Sequence, residues 1–406
     1  MIVPLHRNAD FRRLWLGEAL SDLGTGTSQL AFPLLVLALT GSPFQAGLVG
    51  TTQLAVWVLL SVPAGALVDR WDRRRIMISC QCTRAGAFAV LGLAVAGGVA
   101  SMPLVLAVAL IHGAAGAFFG PAHSAALRNI VPTEQLPLAA SREQTRAYAA
   151  ELAGPPLGGT LFGLARWAPF VADAVSYLAS LVAILRIRQP LRRAGEEQRE
   201  AFLPSMRSGV AFVWQQPFLR AALVWAPLSN VAMQGVFFAF IVQLQSNGVP
   251  PAGIGGAQTV IMAGGLLGTF LTPLIQRRLP ARALIMTMSW LAAALIASLV
   301  LVRGSYLIVL PLMIFMLLEP AVNATFLAYQ LATTPDALQG RVMGVLGTLS
   351  QAFSPLGPLL AGFLIEAAGG SWAFGGFAIL LGLAAIYATA SRGIRTLRPI
   401  ESLVDR

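Results

Sequence analysis

Residues 85 to 127 contain no Asp, Glu, Lys or Arg, and comparable apolar runs recur along the whole chain. They do not alternate apolar with polar, so they read as helices and not as strands. A bilayer core of roughly 30 Å takes about 20 mostly apolar residues as one helix. Backbone groups in hydrocarbon must be satisfied internally, so helices are the remaining choice. Only 11% of the 406 residues are charged and 56% are hydrophobic. A soluble domain carries roughly 25% charged residues, so this chain cannot cover itself with a water-facing surface. The expected class is an all-α integral membrane protein.

Twelve spans fit the runs: 13–39, 44–68, 76–98, 103–128, 138–164, 167–187, 217–245, 252–276, 281–302, 305–331, 337–366 and 371–391. The breaks carry turn chemistry, as in "TGSPF" at 40–44 and "NGVPP" at 247–251. Polar residues 1–12 show no cleavage site after a short apolar core, so no cleaved leader is expected. Cys80 and Cys82 lie in an apolar run without nearby histidines. They read as reduced, buried side chains and not as a metal site.

All 28 basic residues are arginine, and the net charge is +11. The arginines cluster in short loops between apolar runs, so the charge points to a membrane face and not to nucleic acid. With twelve spans, 25 arginines fall on one face, Arg166 and Arg303 on the other, and Arg84 within a span. That bias places both termini and the middle loop in the cytoplasm, with a bacterial inner membrane as the expected location.

The long polar segment 189–216 is expected to be a cytoplasmic linker loop between bundles at 1–188 and 217–406. The halves repeat. A shift of 199 lays Pro121 on Pro320, Arg142 on Arg341, Pro156 on Pro355 and Gly158 on Gly357. Parallel repeats imply two pseudo-symmetric six-helix bundles, with substrate held near the midplane.

"GALVDRWDRR" at 65–74 resembles the loop signature between helices 2 and 3 of the major facilitator superfamily, with Gly65, Asp69, Arg70, Arg73 and Arg74 matching. "GPPLGG" at 154–159 resembles that family's antiporter signature, through Gly154, Pro155, Gly158 and Gly159. "DAVSYL" at 173–178 and "QGRVMGVLGTL" at 339–349 look like the branch holding macrolide-efflux proteins and an enterobactin exporter. The resemblance covers essentially the whole chain. It implies the major facilitator fold and alternating access. It also implies a conformational lock between the 65–74 loop and the eleventh span, with Arg142 and Arg341 as mirrored partners. In this reading Gly65 permits close helix approach. Asp69 accepts from helix N-terminal amides, and Arg73 and Arg74 pair with carboxylates or lipid phosphates. The glycines and prolines at 154–159 would bend their helix.

Acids inside spans are costly unless they face a cavity or a partner. Glu18 and Asp22 are four residues apart and share a helix face. Gln29 lies about three turns further along it. Two neighbouring carboxylates repel, which favours a proton on one of them, and Glu18 could instead reach the interface from its place near the helix start. Glu151, Asp173, Glu319, Asn323 and His112 are the other proton or substrate candidates. Asp173 reads equally well as a structural hydrogen-bond acceptor. His123 reads as a packing residue, and Arg84 as a counter-charge for an acid such as Asp22 or as a snorkelling side chain. Gln53, Trp57, Trp225, Asn230, Gln234, Phe237 and Phe238 would suit an amphipathic cavity lining.

No phosphate loop, metalloprotease helix or nucleophile elbow is present, so no enzyme activity and no cofactor or metal are expected. The expected partners are a small-molecule substrate, protons and membrane lipids, with the protein a monomer. The expected function is proton-coupled efflux of small amphipathic compounds. A siderophore or metabolite exporter of the same fold is the alternative, and an integral-membrane transferase a remote one.

Overall fold

Asn8 starts the first helix by accepting from the N–H groups of Asp10 and Phe11, both at 3.1 Å. In this computed structural model, which describes residues 4–191, 202–302 and 306–397, α1 runs Ala9–Thr40. Gly41, at φ +68°, ends it in the left-handed region. Ser42 caps α2, Pro43–Val68, with Pro43 at its first turn. Asp72 caps α3, Arg73–Ala96, accepting from Arg74 and Arg75 at 2.9 and 3.3 Å. Next come α4 (Met102–Ile130), α5 (Leu136–Leu164) and α6 (Ala168–Leu185). Then follow α7 (Phe202–Gln215), α8 (Pro217–Ser246), α9 (Pro251–Arg278), α10 (Ala281–Ser298) and α11 (Val309–Thr333). The last are α12 (Asp336–Gln351), α13 (Leu356–Ala368) and α14 (Gly370–Ala390). No strand occurs among the described residues.

Eleven described segments are long and apolar enough to cross a membrane, with 336–368 counted as one. The segment α5 is not one of them, and carries Arg142, Glu143, Arg146 and Glu151 within its first five turns. Leu59, Leu93, Phe270 and Ile379 are each more than two-thirds exposed. Against lipid such side chains need no cover. The chain is therefore a multi-pass membrane protein.

Three sequence expectations change. Within the expected loop 189–216, residues 202–215 form α7, and Val213 is fully buried in the core beside α8. The expected span 337–366 breaks at Ala352–Pro355 into α12 and α13. Pro355 has no N–H for the ladder, and short bonds such as Leu356 N–H to Phe353 O (2.9 Å) turn the chain. The first span starts at Ala9, so Glu18 lies about 2.5 turns inside it. Linker residues 192–201, Arg303 and the tail from 398 lie outside the described residues.

The chain divides into two compact units, Met1–Glu197 with Gly248–Thr259, and Gln198–Asn247 with Val260–Arg406. In the first, α1 packs on α5 and α6, α3 on α4 and α6, and α2 on α4. In the second, α8 packs on α12, α13 and α14, and α10 on α11 and α14.

Candidate functional site

In the first unit, polar residues on α1 and α6 form facing stripes. Ser28 donates to the Asp173 carboxylate at 2.5 Å, Thr25 meets the Tyr177 hydroxyl at 2.9 Å, and Ser180 donates to Glu18 at 2.7 Å. The spacing is helical on both sides: 18, 21, 25 and 28 against 173, 177 and 180. Gly17 and Gly24 let the backbones approach. A Cβ on Gly17 would lie 2.7 Å from Ala183, and one on Gly24 would lie 2.7 Å from an Asp173 oxygen. Gln81 of α3 reaches the same seam, donating to Ser180 at 2.7 Å and to Glu18 at 3.4 Å. Asp173 is fully buried, and Glu18 is buried instead of reaching the interface.

Asp22, one turn beyond Glu18, leaves this seam for α5. Arg146 ion-pairs with Asp22 and, at 2.9 Å, with Glu143. His123 lies 3.6 Å from the same Glu143 oxygen. Arg142, the expected mirror of Arg341, makes no ion pair among the described residues. Its carbonyl accepts from the Trp15 indole at 3.3 Å.

Arg84 is buried and does not pair with Asp22. Its guanidinium lies over the rings of Phe119 and Tyr177, 5.6 and 5.5 Å from their centroids. His112 is also buried, 3.3 Å from the Tyr177 hydroxyl and edge-on to Phe88. Gln29 and Glu151 are exposed.

The charged loop fastens its own unit. Arg73 donates to Asn129 of α4 at 3.0 Å, and Arg74 to the Leu185 carbonyl at the end of α6 at 2.6 Å. The amides at the start of α3 are capped by Asp72, while Asp69 ends α2. Asp69 and Arg70 are exposed. An added Cβ on Gly65 would meet nothing within 4 Å, so close packing does not explain that glycine. In the second unit, Arg341 donates to Ser208 of α7 at 3.1 Å.

The 154–159 segment stays within a continuous helix despite Pro155 and Pro156. Its glycines form a seam. Gly154 abuts Gly26 of α1, Gly158 abuts the Thr27 backbone, and Gly159 abuts Pro251 at the start of α9. Gly158→Ala would set its Cβ 2.7 Å from the Thr27 Cα. Backbone cannot yield as a flexible side chain does, so a loss of about 1–3 kcal/mol is expected. A melting temperature for the purified Gly158→Ala protein equal to that of the parent would refute this.

The second unit encloses a cavity of about 470 Å³ lined from α8, α10, α11, α12 and α14. Trp225 and Asn230 line it as expected, together with Glu319 and Asn323. The Trp225 indole donates to Ser289 at 3.0 Å and stacks on Phe326 at 4.8 Å. Asn230 donates to the Ser350 carbonyl at 2.9 Å, tying α8 to α12. Gln234, Phe237 and Phe238 are not part of the lining, and Phe238 is buried in the core. Gln53 and Trp57 belong to α2 in the other unit, where Trp57 is 41% exposed.

The sequence pattern of the Major Facilitator Superfamily matches residues 14–358. The chain is 32% identical over 378 residues to the multidrug efflux pump Tap of Mycolicibacterium fortuitum, covering 85% of this chain and 87% of that one. It is 24% identical to macrolide efflux protein A of Streptococcus pyogenes, covering 88% and 90%. Among solved structures, a variant of the nucleoside transporter NupG aligns with a TM-score of 0.75 at 12% identity, covering 94% and 99%. A bacterial homologue of the iron transporter ferroportin aligns with a TM-score of 0.74 at 14% identity, covering 95% and 99%. These similarities span the elements that carry the acid cluster, the glycine seam and the cavity, and the chain belongs to the major facilitator superfamily of transporters.

Proposed function

We propose that the protein is a proton-coupled exporter of small amphipathic compounds in a bacterial inner membrane, with both termini cytoplasmic. The observation that carries the coupling is the Glu143–Arg146–Asp22 cluster inside a helical bundle. Ionisable groups in spans are costly, and they persist where they serve a pathway or a proton relay. The direction is supported by the relatives named as efflux pumps. The amphipathic substrate is supported by a cavity that sets Trp225, Phe315 and Phe326 beside polar side chains such as Asn230, Ser289 and Glu319. No nucleotide-binding motif is present in the sequence, so the reading takes the driving force from an ion gradient. The lock expected at the 65–74 loop remains part of this proposal, with Asp69 as its acid.

The test is transport in proteoliposomes holding the purified full-length chain. With an imposed pH gradient, an amphipathic dye or macrolide is expected to move against its concentration gradient, and a protonophore is expected to stop it. Uphill transport driven by sodium alone, or none for any compound of an amphiphile panel, would overturn the proposal. Transport restricted to siderophores would move it to the alternative exporter reading.

A further inference from the structure

Among the described residues, Glu319 is the one charged side chain lining the cavity of the second unit. It stands just before Pro320 in the middle of α11. Asn323, one turn on, donates to one of its carboxylate oxygens at 2.5 Å. Among the described residues no arginine or histidine pairs with it. In this it differs from Asp22 and Glu143, which share Arg146. Glu319 is half-buried, and a carboxylate partly withdrawn from water without a counter-charge favours taking a proton or a cation.

The walls around it suit a cation with an apolar body. Trp225 and Phe326 stack 4.8 Å apart at 15°, presenting aromatic surface beside the acid. Phe315 and the polarisable Met233, Met288 and Met343 add to the apolar lining. Ring faces attract cations, most strongly where water is excluded. The volume of about 470 Å³ suits a drug-sized molecule.

We infer that this cavity is a binding site for amphipathic organic cations, with Glu319 as the counter-charge, Asn323 orienting its carboxylate, and Trp225 and Phe326 as the stacking wall. The inference rests on the efflux reading and deepens it by naming a charge class of substrate. It assigns the cation to the second unit, whereas Asp22 and Glu143 of the first unit pair with Arg146 and Glu18 and Asp173 sit in the α1–α6 seam.

The test is equilibrium binding to the purified full-length chain in detergent, without any gradient. Tetraphenylphosphonium is the cationic probe and triphenylphosphine oxide the neutral one. Glu319→Gln is expected to weaken tetraphenylphosphonium by about ten-fold or more and the neutral probe by less than about two-fold. Glu319→Asp is expected to keep most of the cation affinity. Gly347→Leu, at a lining position where an added Cβ meets nothing within 4 Å, is expected to narrow the cavity and weaken binding of both probes. Any of three results overturns the inference: no tetraphenylphosphonium binding by the parent protein, unchanged binding by Glu319→Gln or Gly347→Leu, or equal loss of both probes in Glu319→Gln. Because no gradient is used, the cation site can stand if proton-driven efflux fails, and the reverse.

Discussion

Arg146→Met is expected to destabilise the first unit by about 3 kcal/mol, because it leaves two carboxylates without their shared cation. The Arg146 side chain is 10% exposed and bridges Asp22 to Glu143. Breaking a buried pair by removing one partner costs about 3–5 kcal/mol. The lower end applies here because the Asp22 side chain is 34% exposed and water can hydrate part of the loss. His123, 3.6 Å from Glu143, recovers some attraction only if it is protonated. The diagnostic is rescue. Adding Asp22→Asn and Glu143→Gln to Arg146→Met removes the orphaned charges and is expected to restore most of the melting temperature. If the single variant melts with the parent, or neutralising both acids restores nothing, Arg146 acts through packing alone.

Much of the fold was legible, for a plain reason. A span must be apolar over about 20 residues, so its presence shows in composition before any tertiary contact is known. Its limits depend on caps and local breaks. Asn8 extends α1 four residues earlier than apolarity suggested, and that places Glu18 well inside the helix. Pro155 and Pro156 leave α5 continuous, while Pro355 at the matching repeat position accompanies a break. The same residue type gives two outcomes, because neighbouring helices decide whether freed carbonyls find other partners.

The site was legible in its acids and much less so in their partners. Asp173 stands out as a charge in an apolar run. Ser28 and Thr25 carry no comparable mark, and nothing in their spacing says that α1 meets α6 there. Arg146 looked like part of the cytoplasmic arginine belt, yet it is mostly buried and holds Asp22. Glycines were the hardest to read. Gly65 and Gly158 both lie in signature segments, but only Gly158 faces a backbone at close range.

That same Arg146 sharpens what Asp22 is expected to do. A proton carrier must reach water and must be able to change its partner. Asp22 meets both conditions, being partly exposed and paired to an arginine that already holds a second acid. A proton on Asp22 would remove its charge and leave Arg146 to Glu143. The α1–α5 contact could then loosen without creating an unpaired cation. Glu18 differs, because its contacts from Ser180 and Gln81 are hydrogen bonds with neutral groups. Asp22→Asn fixes the uncharged arrangement. It is expected to reduce pH-driven accumulation of substrate by about ten-fold or more, since one lost coupling step blocks every uphill cycle. Binding and downhill exchange are expected to survive. Glu18→Gln keeps a carbonyl that can accept from Ser180, so coupling is expected to be largely retained. Accumulation by the Asp22→Asn protein with only a proton gradient supplied would refute the assignment. The coupling role would then pass to Asp173, the remaining fully buried acid of the α1–α6 seam.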